Sequence, residues 1–375
     1  MPLAALESYD IDSRTGFVPP ADPLTQLPSY FDAWNELAPL VGSLMRNRRL
    51  RERLRTLPLL DTTRLASARE RELALTLLCV YANAFVWGGP EPDLRLPAPV
   101  AVPLCRLADA LGRPPIVHYA SMQLHNWRRI EAERAPSADN VAMIVQFLGG
   151  VDETWFFVAG LDVELQGAPL VVHAHGAVLA AARADHAALT RHLASIAAGM
   201  PAVNAALERQ REWVDPHIFF HRVRPYVAGW PAPGVVYEGV SEAPRMAIGG
   251  SAGQSALIQS LDAALGIAHP GEQTGSYLKL LRAYMPPGHR RFVEDCERES
   301  RVRAEADAAG VAELRDAYNA AIEGIGRFRS LHMALAHDYI SKPAGGDPDP
   351  KGTGGTSFTG FLRDARRETS ASRVG

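Results

Sequence analysis

Apolar residues recur every three or four positions along most of the chain, the spacing that lines one face of an α-helix. Phe31-Trp34-Leu37-Leu40 and Leu73-Leu77-Val80-Phe85 carry it clearly and predict helices within residues 30–87. Prolines crowd residues 89–104, where regular helix is expected to break, and short helical segments follow as far as Arg134. Residues 152–172 are apolar and fit a strand or a helix equally well. Residues 179–224 are helical in pattern, a helix starts near Ser251 and runs on through Leu265, and residues 311–341 form the clearest helix of all. The Pro-rich first 30 residues predict an irregular arm across the surface. At the other end, a Pro/Gly/Asp loop at 342–355 leads to a short amphipathic helix at 358–367 and a frayed tail. Strands do not alternate with helices, so a parallel α/β sheet is not expected. The expected fold is mainly α, with a small α-rich domain over residues 1–138 and a larger helical domain over 139–375, joined at the polar stretch 132–140.

The helix at 311–341 carries a histidine in an unusual place. At about 100° per residue from Leu314, the side chains of Tyr318, Ala321, Ile322, Ile325, Phe328, Leu335 and Ala336 share one apolar stripe. His332 follows Leu314 by eighteen positions, about five whole turns, and points into the middle of that stripe. His337 falls on the polar side with Asn319 and Glu323. A buried imidazole needs a partner, because an unsatisfied polar group costs roughly 1–3 kcal/mol. From this helix alone the partner is either a carbonyl in an ordinary core or a metal such as haem iron.

Composition narrows the classes. With 375 residues, 47% of them hydrophobic, the chain can bury a large core, and a net charge of -3 gives no basic face for nucleic acid. No apolar run reaches the roughly 18 uncharged residues of a membrane span, and the acidic N-terminus lacks the basic start of a signal peptide. Cys79, Cys105 and Cys296 are far apart and odd in number, as for reduced thiols in a cytoplasm.

Two glycine-rich segments invite chemistry. Gly249-Gly250-Ser251-Ala252-Gly253 matches the G-x-S-x-G of serine hydrolases, with Ser251 as nucleophile, but that elbow needs a strand before it. Pro244 and several polar groups within residues 241–246 leave no strand evident. Ser251 as the N-cap of a helix, or a backbone lying close to a flat ligand, are the other two readings. Gly352-Thr353-Gly354-Gly355-Thr356 lacks the Gly-Lys-Ser/Thr of a phosphate-binding loop and reads as a substrate lid or as a solvated linker.

At these residues the chain resembles the indoleamine 2,3-dioxygenases. The resemblance is carried in order by Ala101-Val102-Pro103-Leu104-Cys105, residues 119–127, 155–160, 219–230, Val236-Tyr237-Glu238-Gly239, residues 249–255, Tyr284-Met285-Pro286-Pro287, Arg329-Ser330-Leu331-His332 and residues 352–356. No one piece is decisive; the ordered set, from about residue 30 to about 367, is specific.

The resemblance implies a small N-terminal domain on the distal side of haem b and a larger helical domain that holds it. His332, in its Arg-Ser-x-His context, is then the iron ligand, and Arg329 belongs to the cofactor site. Tyr119, Met122, Phe156, Gly160, Phe219, Arg224, Ser251, Ala252 and Thr353 match the substrate pocket; Gly250, Ser251 and Ala252 also approach the haem. A planar guanidinium at Arg224 suits a carboxylate, and Phe219 offers an aromatic wall to an indole. Gly160 and Met122 depart from the serine and cysteine of the mammalian enzymes, which bears on pocket size and leaves no hydroxyl at 160 to act as a base. The implied reaction is tryptophan catabolism of the kynurenine pathway: with O2, the C2=C3 bond of L-tryptophan or a related indoleamine is opened to N-formylkynurenine. It needs an electron donor that keeps the iron ferrous, and the expected protein is a cytoplasmic monomer. Oxygenation of another indole metabolite and hydrolysis at Ser251 are the competing activities.

Overall fold

The computed structural model describes residues 3–345, 352 and 358–375. Long helices dominate it: Ala68–Trp87 (α1), Ala98–Leu111 (α2), Val151–Ala182 (α3), His186–Glu208 (α4), Ala256–Leu265 (α5), Glu272–Arg282 (α6), Pro287–Glu299 (α7), Ala312–Ala336 (α8) and Phe358–Ser370 (α9). The protein is mainly α, as the periodicity predicts.

Local chemistry explains where several helices begin. Ser67 caps α1 through a capping box with Glu70. The ambiguous apolar stretch after residue 151 is α3. Its buried Glu153 turns back to accept hydrogen bonds from the amides of Phe147, Leu148 and Gly149, which holds the incoming loop. After α3 the chain turns at Ala184, and Asp185 caps α4 by accepting from Ala188 N–H at 2.9 Å. The helices α3, α4 and α8 pack side by side. At Gly324 of α8 an added Cβ would lie 2.7 Å from Cβ of Met200, so glycine lets α8 approach α4 closely. Among the described residues α3 is the one helix long and apolar enough to cross a membrane; two thirds of its apolar stretch is buried inside the protein.

Four expectations need correction. The proline-rich stretch does form a helix, α2: Pro99 sits in its first turn, where no N–H is needed, and Pro103 is accommodated inside it. Residues 241–245 do form a strand. Val235–Tyr237 (β2) pairs in parallel with Arg95–Leu96 (β1) and antiparallel with Ser241–Arg245 (β3), whose Pro244 is tolerated because β3 is an edge. The N-terminal arm is no loose cover, since Leu3, Leu6, Tyr9, Ile11 and Phe17 are buried against the C-terminal helices. The tail is tied down: the Tyr318 hydroxyl donates to the carbonyls of Leu265 and Ser372, and Asn319 exchanges two hydrogen bonds with the backbone of Val374.

The interior falls into two apolar clusters. One joins residues from Val18 to Leu161 with Phe219, Tyr237, Leu335 and Tyr339; the other joins the arm with α3, α4, α5, α7 and α8. Because Asn319 satisfies both polar groups of Val374, Asn319→Ala is expected to cost about 1–2 kcal/mol, read as a lower midpoint in denaturant melts. An unchanged midpoint would mean the tail is not held by this pair.

Candidate functional site

Between the two clusters lies a cavity of about 310 Å³. Tyr119, Met122, Phe156, Gly160, Phe219, Arg224, Gly250, Ser251, Ala252, Arg329 and His332, eleven of the residues singled out from sequence, all line it. Thr353 and most of the loop at 346–357 lie outside the described residues.

Helix α8 forms one wall and presents His332, with Phe328, Leu335 and Ala336 around it. Burial, helped by nearby Arg329, lowers the imidazole pKa to about 4, so the ring is neutral at physiological pH. Among the described residues the ring makes no hydrogen bond. His337 is exposed. Arg329 lines the cavity too, but its guanidinium is committed to the Asp262 carboxylate and the Thr369 hydroxyl. Asp262 also accepts from His269 Nε2 at 3.1 Å, and His269 Nδ1 meets Glu368 at 2.7 Å. This buried network joins α5, α8 and α9. Sequence reasoning missed Asp262, whose Oδ1 is enclosed with no partner and which borders the cavity.

Another part of the wall is aromatic. Phe156 and Phe219 have ring centroids 4.6 Å apart, and Tyr339 meets Phe219 edge-on at 5.9 Å. Phe219 and Arg224 would lie about 140° apart on an α-helix. They line one cavity because residues Phe219–Val223 form a wide π-turn, closed by a hydrogen bond from Arg224 N–H to the Phe219 carbonyl, which stacks residues five apart. Arg224 is half-buried, which pushes its pKa down, and its guanidinium lies 5.2 Å from the Phe220 ring. Two further π-turns, Ala120–Leu124 and His337–Ser341, also feed the wall, through Met122 and through Tyr339 and Ile340.

The glycine segment is an N-cap, not a nucleophile elbow. Ser251 has an unstrained extended backbone, φ -141° and ψ 140°, and its Oγ accepts from Gly253 N–H in a capping box with Gln254. An elbow serine sits on a sharp, strained turn. At Gly249 an added Cβ would lie 2.1 Å from the Val227 carbonyl oxygen, so this glycine serves close chain packing, while Gly250 faces the cavity. Gln254 fastens the segment by accepting from Tyr119 N–H and donating to the Gly249 carbonyl, both at 2.8 Å.

A second residue missed from sequence is Glu164, one turn beyond Gly160 on α3. It accepts from the Tyr119 hydroxyl at 2.9 Å and the Ser255 hydroxyl at 2.5 Å, so it ties two pieces of the cavity wall to α3. Burial raises its pKa, and the two hydroxyl bonds offset this only in part. A helical Glu four places after a glycine carries no signal in sequence.

A porphyrin iron fits these groups. Such an iron needs a neutral imidazole, and two line the cavity: His332, whose ring makes no hydrogen bond among the described residues, and His118, whose Nδ1 accepts from Ser121 N–H and whose enclosed Nε2 has no partner. No three His, Cys, Asp or Glu side chains converge among the described residues, so a metal held at His332 must bring its other ligands with it. Fold and site together define a mainly helical protein with a largely apolar, histidine-bearing cavity that suits a haem. The indoleamine 2,3-dioxygenase family model matches residues 5–372, and the chain belongs to that family. It is 36% identical to indoleamine 2,3-dioxygenase 1 of Rattus norvegicus, over 97% of this chain and 94% of the relative. It is 31% identical to indoleamine 2,3-dioxygenase 2 of Homo sapiens, over 98% and 95%. It is also 30% identical to a protein named myoglobin from Haliotis madaka, over 97% of each.

Glu164 generates a prediction. An acid whose folded pKa is raised stabilises the protein fully below its ordinary value of 4.5 and loses that contribution as pH rises through the folded value. Glu164→Gln keeps an acceptor for both hydroxyls and removes the charge. Thermal midpoints between pH 5 and 8 should therefore fall less with rising pH in the variant than in the parent. Parallel curves would show that Glu164 does not titrate in this way.

Proposed function

We propose that this protein is a haem-dependent dioxygenase that opens the C2=C3 bond of the indole ring of L-tryptophan, or a related indoleamine, with O2 to give N-formylkynurenine. The observation that carries the reading is His332, neutral and making no hydrogen bond among the described residues, in one cavity with the paired rings of Phe156 and Phe219 and a half-buried Arg224. When bound, the haem supplies the oxygen chemistry, with an electron donor keeping its iron ferrous. His332 would hold the iron, and the backbone of Gly250, Ser251 and Ala252 would border the group.

The chain's own residues bind and orient the substrate. Phe156 and Phe219 offer rings for the indole to pack on, and Arg224 offers the amino-acid carboxylate two parallel hydrogen bonds. Thr353 would close over the same end. Alignment of this kind contributes on the order of 7–11 kcal/mol when it is good. The apolar wall excludes water. Gly160 has no hydroxyl and Ser251 is spent as a cap, so neither serves as a base. Glu164 keeps Tyr119 turned in place through its hydroxyl.

The relative named myoglobin keeps a second reading in view, an oxygen-binding protein without turnover. Arg224 supports the first. Steady-state formation of N-formylkynurenine from tryptophan by the reduced, haem-loaded protein decides between them, and reversible O2 binding with no product would overturn the proposal. His332→Ala should lose the haem absorbance while His337→Ala keeps it; the reverse pattern would sink the ligand assignment.

Arg224→Ala should cut kcat/KM for tryptophan by 10²-fold or more, taking about 3–5 kcal/mol for an interior charge left unpaired, with little change in the haem spectrum. Tryptamine, which lacks the carboxylate, should be a poor substrate that the substitution barely affects. Equal losses on both would mean that Arg224 supports the fold or the haem instead.

A further inference from the structure

Gln123 is a cavity residue that the reaction above does not use. It lies in the π-turn Ala120–Leu124, is 8% exposed and borders the cavity. Other amides nearby are engaged: Asn126 exchanges two hydrogen bonds with Val145, Gln254 joins Tyr119 to Gly249, and Gln259 joins Arg282 to Gly253. The Gln123 amide makes no hydrogen bond among the described residues. It is also not one of the fully enclosed side-chain atoms without a partner. Its polar end therefore opens on the cavity.

What it faces follows from its neighbours. An added Cβ at Gly160 would lie 3.1 Å from Gln123 Cγ and 3.4 Å from its Nε2. The amide thus lies against α3, in space that a side chain at 160 would share. Met122, Phe156 and Phe157 make the wall around it apolar. Arg224 belongs to a different π-turn. An amide offers one acceptor and two donor protons and no charge. Set in an apolar wall, it discriminates in favour of a neutral group that can donate and accept, and against a methyl of the same size, which would leave it unpaired. A hydroxyl is such a group.

We infer that Gln123 is a specificity-determining residue that recognises a hydroxyl on the benzo ring of the indole substrate, so that ring-hydroxylated indoles are preferred. This rests on the reading that an indole occupies the cavity with its amino-acid end at Arg224. Arg224 offers a cation to the carboxylate, and Gln123, on a separate turn of the wall, offers a neutral amide to the ring.

The test compares tryptophan with its 4-, 5-, 6- and 7-hydroxy derivatives and the methyl analogue of each, on the haem-loaded enzyme. Both kcat/KM and the dissociation constant from equilibrium dialysis are measured. At least one hydroxytryptophan should exceed its methyl analogue by about tenfold or more in both. Gln123→Leu, similar in shape and apolar, should reduce that hydroxyl-to-methyl ratio by about tenfold. Gly160→Ala, which presses a methyl group against Gln123, should reduce it as well and serves if Gln123→Leu does not fold. A ratio near one in the parent, or one that neither substitution changes while tryptophan is still turned over, overturns the inference and leaves the dioxygenase reading standing. If no indole is bound or turned over by the parent enzyme, the dioxygenase reading fails first.

Discussion

The ion pair between Arg329 and Asp262 fixes how α8 is rotated, and so where His332 points. Arg329 precedes His332 by three residues, nearly one turn, so a guanidinium locked to α5 and to Thr369 of α9 locks the imidazole too. Buried pairs add little net stability, since desolvation offsets much of the attraction; their best-supported use is to specify one arrangement among several. Here His269 and Glu368 extend the pair into a chain that spans three helices. Breaking any link leaves a buried charge unpaired, which makes alternative rotations of α8 costly.

The rest of the cavity depends on departures from ideal helix. Each of the three π-turns puts a residue five positions on over the same face, which an α-helix cannot do. That is how Phe219 and Arg224 reach one space. Such turns give up regular hydrogen bonding, and they persist here because the surroundings hold them. Tyr339, in one of them, donates to the Val214 carbonyl at 2.8 Å, and Tyr119, leading into another, is held by Glu164 and Gln254.

The interior carboxyls divide the work. Glu153 closes the start of α3, Glu164 fastens the cavity wall to the same helix, and Asp262 orients α8. Each accepts from neighbours that compensate part of its desolvation, and none stands free in the cavity as a base. That suits chemistry supplied by a cofactor, where the protein mainly positions and shields.

The sequence by itself determined the helical class and the inward direction of His332. Both follow from periodicity, which depends only on the helix repeat and on burial of apolar side chains. It also determined the family, through short motifs in a fixed order, and with it eleven of the residues that line the cavity. The proline-rich helix α2, the edge strand β3 and the pinned tail escaped it. Their local composition disfavours regular structure, and contacts distant in sequence outweigh that preference. Tertiary structure alone decided that Arg329 is engaged with Asp262, that Glu164 holds Tyr119 and Ser255, and that Gln123 borders the cavity beside Gly160. Those facts come from side chains separated by tens of residues, brought together by packing between helices, a distance that no periodicity within one helix encodes.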